Sequence, residues 1–186
     1  DSKIYFYSLK SNKLTLVGKG SYPKLHSLSN YISFTTEINN RRVLEIVNTR
    51  NRLDRFSIPL TTPDFLYRPQ VEVFDDSLVY FSDLNEKFQT TIKVYNNRSK
   101  KYYSIHKYDN PNNIVNLELS KSHLFILEST VGIKPFTQLA QLKVGSIDYS
   151  KKVPLYNSQI GPAFNLNMIN NELFFITTLK SKNSNL

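Results

Sequence analysis

The chain has 186 residues, 40% hydrophobic and 13% aromatic, with 12 Tyr, 12 Phe, 5 Gly and neither Cys nor Trp. With Ala140 and Ala163 as its only alanines, the composition favours strands and argues against a helix bundle, an ordinary α/β enzyme and a disordered chain. Its 24 Lys and Arg against 15 Asp and Glu give a net charge of +9, and zero Cys excludes disulfides, thiolate metal sites and a cysteine nucleophile.

In chain order, two short apolar runs, Ile4 to Phe6 and Leu14 to Val17, flank the polar turn Ser11–Lys13. Four follow in the next stretch: Leu25 to Leu28, Tyr31 to Phe34, Leu44 to Ile46 and Leu53 to Ile58. The same order returns at Val71 to Phe74, Leu78 to Phe81, Ile92 to Val94 and Tyr102 to Ile105. It returns again at Val115 to Leu119, Leu124 to Ile126, Leu142 to Val144 and Val153 to Tyr156, and the last pair is Phe164 to Met168 and Leu173 to Phe175. Aligning Ile32, Val79, Leu124 and Leu173 gives steps of 47, 45 and 49 residues.

Alternation over four to six residues marks half-buried strands, and four strands per repeat of about 45 residues is the signature of a β-propeller blade. A β-sandwich or two small β-domains are the competing architectures. With strands lettered A to D from the central channel outwards, the chain reads as one all-β domain over 1–186. Its pieces are CD (3–17), ABCD (25–58), ABCD (71–105), ABCD (115–156) and AB (164–178). If the chain closes on itself, the opening CD pair and the closing AB pair share one blade. A start at Asp1 with no initiator Met points instead to a fragment of a larger ring, or to a mature chain without its leader.

Each D-to-A link carries a proline, Pro23, Pro69, Pro111 or Pro162, which suits the residue entering a strand. In a propeller the D-to-A and B-to-C links surround the channel mouth. There the long segment 59–70 offers Phe65, Tyr67 and Arg68, residue types enriched at binding hot spots. Asp83 and Glu128 end equivalent B strands beside that mouth, where paired carboxylates would suit a sugar, a cation or glycosidic chemistry. Plain gap-filling and turn formation are the competing readings of both groups.

The positive charge gathers in the C-to-D turns: Lys10 and Lys13, then Arg50, Arg52 and Arg55, then Arg98, Lys100 and Lys101, then Lys151 and Lys152. On a propeller these fall near the outer edge of one face and attract anionic partners, a protein or an acidic polymer. Solvated hairpin tips that discourage edge-to-edge aggregation are the competing reading. No RNA- or DNA-binding motif or stacking platform accompanies the charge, which argues against nucleic acid.

His26, His106 and His123 occupy non-equivalent positions, and no G-x-S-x-G elbow, zinc spacing, calcium loop or phosphate-cradling glycine loop is present. The reading is therefore non-enzymatic, with no cofactor and no metal. No apolar run reaches the roughly 20 residues of a membrane-spanning helix, and residues 1–20 lack a signal peptide.

Residues Lys3 to Lys10, the turn Ser11–Lys13 and Leu14 to Val17 resemble the outer hairpin of TolB-type propellers. Tyr22 to Arg42, followed by Leu44 to Asn48, is similar to the next blade of that family, with Leu25 to Asn30 in place of its Trp-Ser-Pro-Asp-Gly signature. The resemblance covers residues 3–50 and transfers no functional residue. It implies an extracytoplasmic protein-binding platform: periplasmic, lipid-anchored or secreted. The expected function is thus a non-catalytic scaffold that binds a protein or anionic polymer through one face. The alternative is the propeller part of a larger hydrolase, a peptidase gate, or a carbohydrate-binding or carbohydrate-active propeller.

Overall fold

Apolar residues that recur at every second position put one side of a strand against each neighbouring layer. In the computed structural model, which describes residues 2–26, 28–62, 67–111, 113–130, 136–158, 163–170 and 172–177, that alternation forms four antiparallel sheets. The first holds β1 (Ser2–Ser8), β2 (Lys13–Leu25), β3 (Tyr31–Ile38), β4 (Arg41–Asn48) and β5 (Arg55–Pro59), in that order. The second holds β6 (Val71–Val73), β7 (Leu78–Leu84), β8 (Thr90–Asn96) and β9 (Lys101–Lys107). The third holds β10 (Asn113–Leu119), β11 (His123–Thr130), β12 (Phe136–Lys143) and β13 (Val153–Ser158). β14 (Ala163–Ile169) and β15 (Glu172–Thr177) pair alone. One 3-10 turn, Tyr149–Lys151, is the only helical element among the described residues.

The sheets pack face to face in chain order. Tyr31, Leu44, Ile46 and Ile58 of the first sheet meet Val71, Val73, Val79 and Phe81 of the second. On the other face of the second sheet, Tyr80, Ile92, Val94 and Ile105 meet Val115, Leu117, Leu124 and Ile126 of the third. Leu127 and Leu139 then meet Ala163 and Leu166 of the last pair. Alternation along β7 therefore serves two interfaces: Val79 and Phe81 face backward, and Tyr80 faces forward.

The four aligned residues keep their equivalence. Ile32 pairs with Val47, Val79 with Tyr95 and Leu124 with Leu142, each one step from the start of its strand pair. Ile32 packs with Ile4 and Val17, and Val79 against the first sheet. Leu124 packs against the second sheet and Leu173 against the third, so Val79, Leu124 and Leu173 each face the preceding sheet, whereas Ile32 packs on the β1–β2 end of its own.

Two features differ from the sequence reading. The separate strands expected at 14–17 and 25–28 are one strand, β2, which pairs with β1 over Lys13–Gly20 and with β3 from Ser21 to Leu25. Pro23 sits in the bulge between those halves, where its missing N–H leaves no ladder bond unmade. The chain then turns at once, His26 N–H donating to Tyr31 O at 3.0 Å, and Leu28 packs into the core of the second and third sheets. The shared blade of CD and AB is also not formed: β1 joins the first sheet through β2, and β14–β15 stand as their own sheet. Between β3 and β4, Asn39 and Asn40 have φ of 52° and 59°, the left-handed pair that a tight two-residue hairpin requires.

Candidate functional site

The first three C-to-D turns are built alike. Asn48 Oδ1 accepts from the N–H groups of Arg50 (2.9 Å) and Asn51 (3.2 Å), and Asn96 Oδ1 accepts from those of Arg98 and Ser99 (both 3.0 Å). Ser8 Oγ accepts from Ser11 N–H at 3.3 Å. This local capping puts a cation two residues beyond each cap, at Lys10, Arg50 and Arg98. Lys10, Lys13 and Arg50 then share one open groove of about 650 Å³ with Ser11, Asn30 and Thr49, and no acidic residue among the described residues lines it. Arg52 ties the second turn to strand β2 by donating to Leu16 O at 3.2 Å.

Farther along, the charge is partly answered. Arg98 pairs with Asp76 at 3.1 Å, and Lys151 with Asp148 at 3.8 Å, both on the surface. Lys100 donates to Asn97 Oδ1 at 2.7 Å and lies 5.8 Å from the centre of the Phe56 ring, while Lys101 is exposed. Arg55 turns back onto buried Glu45 at 2.6 Å. Lys152 points inward. Its ammonium lies 3.2 Å from Glu128, 2.9 Å from Gln138 Oε1 and 3.0 Å from the Tyr149 hydroxyl, over whose ring it stacks.

Asp83 and Glu128 share no partner. Asp83 is fully buried, accepting from Thr61 N–H at 2.9 Å and Lys93 Nζ at 2.6 Å, and so anchors the start of segment 61–62 to the second sheet. Burial pushes the Glu128 carboxyl up, against the pull of Lys152. Two carboxylates, each held by its own lysine, do not make the acid–base pair of a glycosidase. The Tyr67 hydroxyl donates to Ser82 Oγ at 2.7 Å, and its carbonyl accepts from the Arg42 guanidinium, so this residue is a strut; burial pushes its phenol up. Phe65 and Pro162 lie outside the described residues. Arg68 is exposed, its guanidinium 6.0 Å from the centre of the Tyr22 ring.

Arg68 also opens onto a feature that the sequence reading missed. β10 runs beside β6 and β14, and residues of β2, β6, β10 and β14, one strand from each sheet, line one cavity of about 210 Å³. Lys24, Glu72, Glu118 and Asn167 hold register-equivalent places on those strands, opposite Ser33, Tyr80, Phe125 and Phe174. Lys24 and Glu72 form an ion pair across two sheets. Burial, helped by Glu72 and opposed by Lys24, pushes Glu118 up to about 7. Buried His26 meets Ser33 Oγ through Nε2 at 2.8 Å, while its Nδ1 stands 3.7 Å from Glu72 without a hydrogen-bond partner among the described residues. Desolvation lowers its pKa, although Glu72 pulls the other way. The signal was partly present: Glu72, Glu118 and Asn167 stand between apolar neighbours in their A runs, whereas Lys24 stands one residue before the first run.

Among the described residues, no three His, Asp or Glu side chains gather as a metal site, and no helix is long and apolar enough to cross a membrane. Comparison with protein-family models and with curated proteins finds no match.

Proposed function

We propose that the four sheets are blades of a β-propeller, and that the chain is a non-catalytic scaffold holding an acidic protein or polymer against its C-to-D turns. Two relations support the blade reading: Val79, Leu124 and Leu173 each face the preceding sheet, and β2, β6, β10 and β14, one strand from each sheet, approach one cavity. The likeness of residues 3–50 to TolB-type propellers supports an extracytoplasmic setting. The observation that carries the binding reading is the groove in which Lys10, Lys13 and Arg50 meet with no acidic residue on its wall among the described residues. Converging cations on a rigid hairpin framework raise the local potential and speed capture of an anion.

The test is retention on immobilised polyglutamate. The native chain is held at low salt and released as salt rises. At about 0.5 kcal/mol for each exposed charge, the triple variant K10Q/K13Q/R50Q binds roughly tenfold more weakly with an unchanged melting temperature. Equal retention of the triple variant would remove this groove from the mechanism.

A further inference from the structure

We infer that the cavity between the inner strands is a separate site for a sugar acid, a small molecule carrying one carboxylate and several hydroxyls. At about 210 Å³ it is smaller than the roughly 300–1,000 Å³ of pockets for drug-sized ligands, so it suits a single sugar ring. Among the described residues its wall holds no carboxylate, the nearby Glu72 being taken by Lys24, which argues against a metal cation, and the wall is mostly polar, which argues against an apolar guest. Of its two cations, Lys24 is neutralised by Glu72, whereas Arg68 makes no ion pair among the described residues. One unanswered guanidinium matches one carboxylate, which it grips through two parallel hydrogen bonds; a dianionic phosphate would call for a second free cation.

Hydroxyl recognition falls to the amides of Gln70, Asn116, Asn165 and Asn167. An amide offers both donors and an acceptor, as a sugar hydroxyl does, and Asn167 Nδ2 already spends one donor on Asn165 O at 2.9 Å. Asn116 Oδ1 accepts from Asn165 N–H at 3.2 Å, which leaves its NH2 group for a ligand. Backbone strain supplies an independent sign. Tyr22 and Asn165 have φ of 56° and 57°, each within the bulge of an inner strand, and both line the cavity. Left-handed non-glycine residues and bulges concentrate where a backbone is bent to aim side chains at a ligand.

Isothermal titration of the chain with D-glucuronate and D-galacturonate tests the assignment, with D-glucose and acetate as the neutral and bare-carboxylate controls. The expected result is saturable binding of at least one uronate, with both controls about tenfold weaker or worse. Arg68→Gln, an exposed change, loses about tenfold or more of that affinity. The K10Q/K13Q/R50Q variant keeps it, which separates this site from the polyglutamate groove. A glucuronate-ended disaccharide that binds where the monosaccharide does not identifies the end of a glycan as the ligand, still through Arg68. Absence of saturable binding by all three acids, equal affinity for glucose, or an unaffected Arg68→Gln variant would overturn the inference.

Discussion

Gly20→Ala probes the joint on which the basic groove depends. The β1–β2 hairpin lies across Phe34, and Gly18 and Gly20 make that approach close enough. Neither has a left-handed φ, so it is space, not backbone freedom, that requires glycine here. A Cβ on Gly20 would stand 2.3 Å from the Thr35 carbonyl oxygen and 2.8 Å from Phe34 Cδ2, whereas one on Gly18 would meet Phe34 Cζ at 2.6 Å. The first obstacle is main chain in the β2–β3 ladder and cannot rotate away. The second is the tip of a ring that can shift slightly, although Phe34 is only 1% exposed. Overpacking costs about 1–3 kcal/mol, and Ala recovers about 0.5–1 kcal/mol of strand entropy relative to Gly. The net expectation is about 2 kcal/mol for Gly20→Ala and about 1 kcal/mol or less for Gly18→Ala. For a domain of this size, 2 kcal/mol lowers the melting temperature by about 4–8 °C. Because the hairpin carries Lys10 and Lys13 while Arg50 belongs to the underlying sheet, Gly20→Ala also weakens polyglutamate retention well below its melting point. Thermal unfolding followed by circular dichroism, beside the retention assay, decides the matter. A Gly20→Ala protein that melts with the native chain, or a Gly18→Ala protein that melts lower, would refute the packing argument.

Two further tests concern the buried charges. Glu118 titrates higher in the folded chain than in an unfolded one, so its contribution to stability is complete at low pH and is lost as pH rises through about 7. Glu118→Gln is therefore expected to gain in melting temperature relative to the native chain from about pH 5 to about pH 8; a constant difference across that range would contradict it. His26 works with the opposite sign, its lowered pKa favouring the folded chain as pH rises through the ordinary histidine range, and it remains present in both proteins. Lys152→Met leaves Glu128 buried beside Tyr108 without its cation, at a cost of about 2 kcal/mol at neutral pH. Adding Glu128→Gln restores part of the loss, and a double variant no better than the single one would exclude the pair as the cause.

Strand order and facing were legible because alternation records which side of a strand is apolar, and the repeat records which strand it is. Ile32, Val79, Leu124 and Leu173 were aligned on those grounds, and the last three face the preceding sheet, while Ile32 packs beneath the β1–β2 end of its own. The spacing of Ser8, Asn48 and Asn96 from their cations was also readable as a turn signature. Gly18, Gly20 and Pro23 read as breaks between strands. Their actual work is close approach to Phe34 and Thr35 and a bulge within β2, and both depend on a partner about 15 residues away. Lys152 was read with the surface cations because its turn is basic like the others. The fourth turn, however, runs through the left-handed Gly145 (φ 84°) and a 3-10 turn, which swing Lys152 onto Glu128. Local pattern gives periodicity and chemistry, but it does not give the partner across an interface. For that reason Asp83 and Glu128 looked paired with each other when each is paired with a lysine.

The exposed apolar side chains follow the same layer logic. Sheets two and three pack against a neighbour on each face, and the apolar positions of β7, β8, β11 and β12 are largely buried, whereas Tyr102, Val153 and Leu155 on their last strands are exposed. Along β1–β2, Ile4, Phe6 and Val17 pack inward, while Tyr5 opposite Leu16 and Tyr7 opposite Leu14 are 45–61% exposed on the outer face. At the other end, Leu173 and Phe175 pack against the third sheet, and Phe174 and Ile176 are 49% and 54% exposed. A strand designed with one wet face carries polar residues there, as antiparallel sheets commonly do. These two outermost layers instead keep the two-sided apolar pattern of the inner ones. The pattern thus belongs to the repeat and not to local exposure.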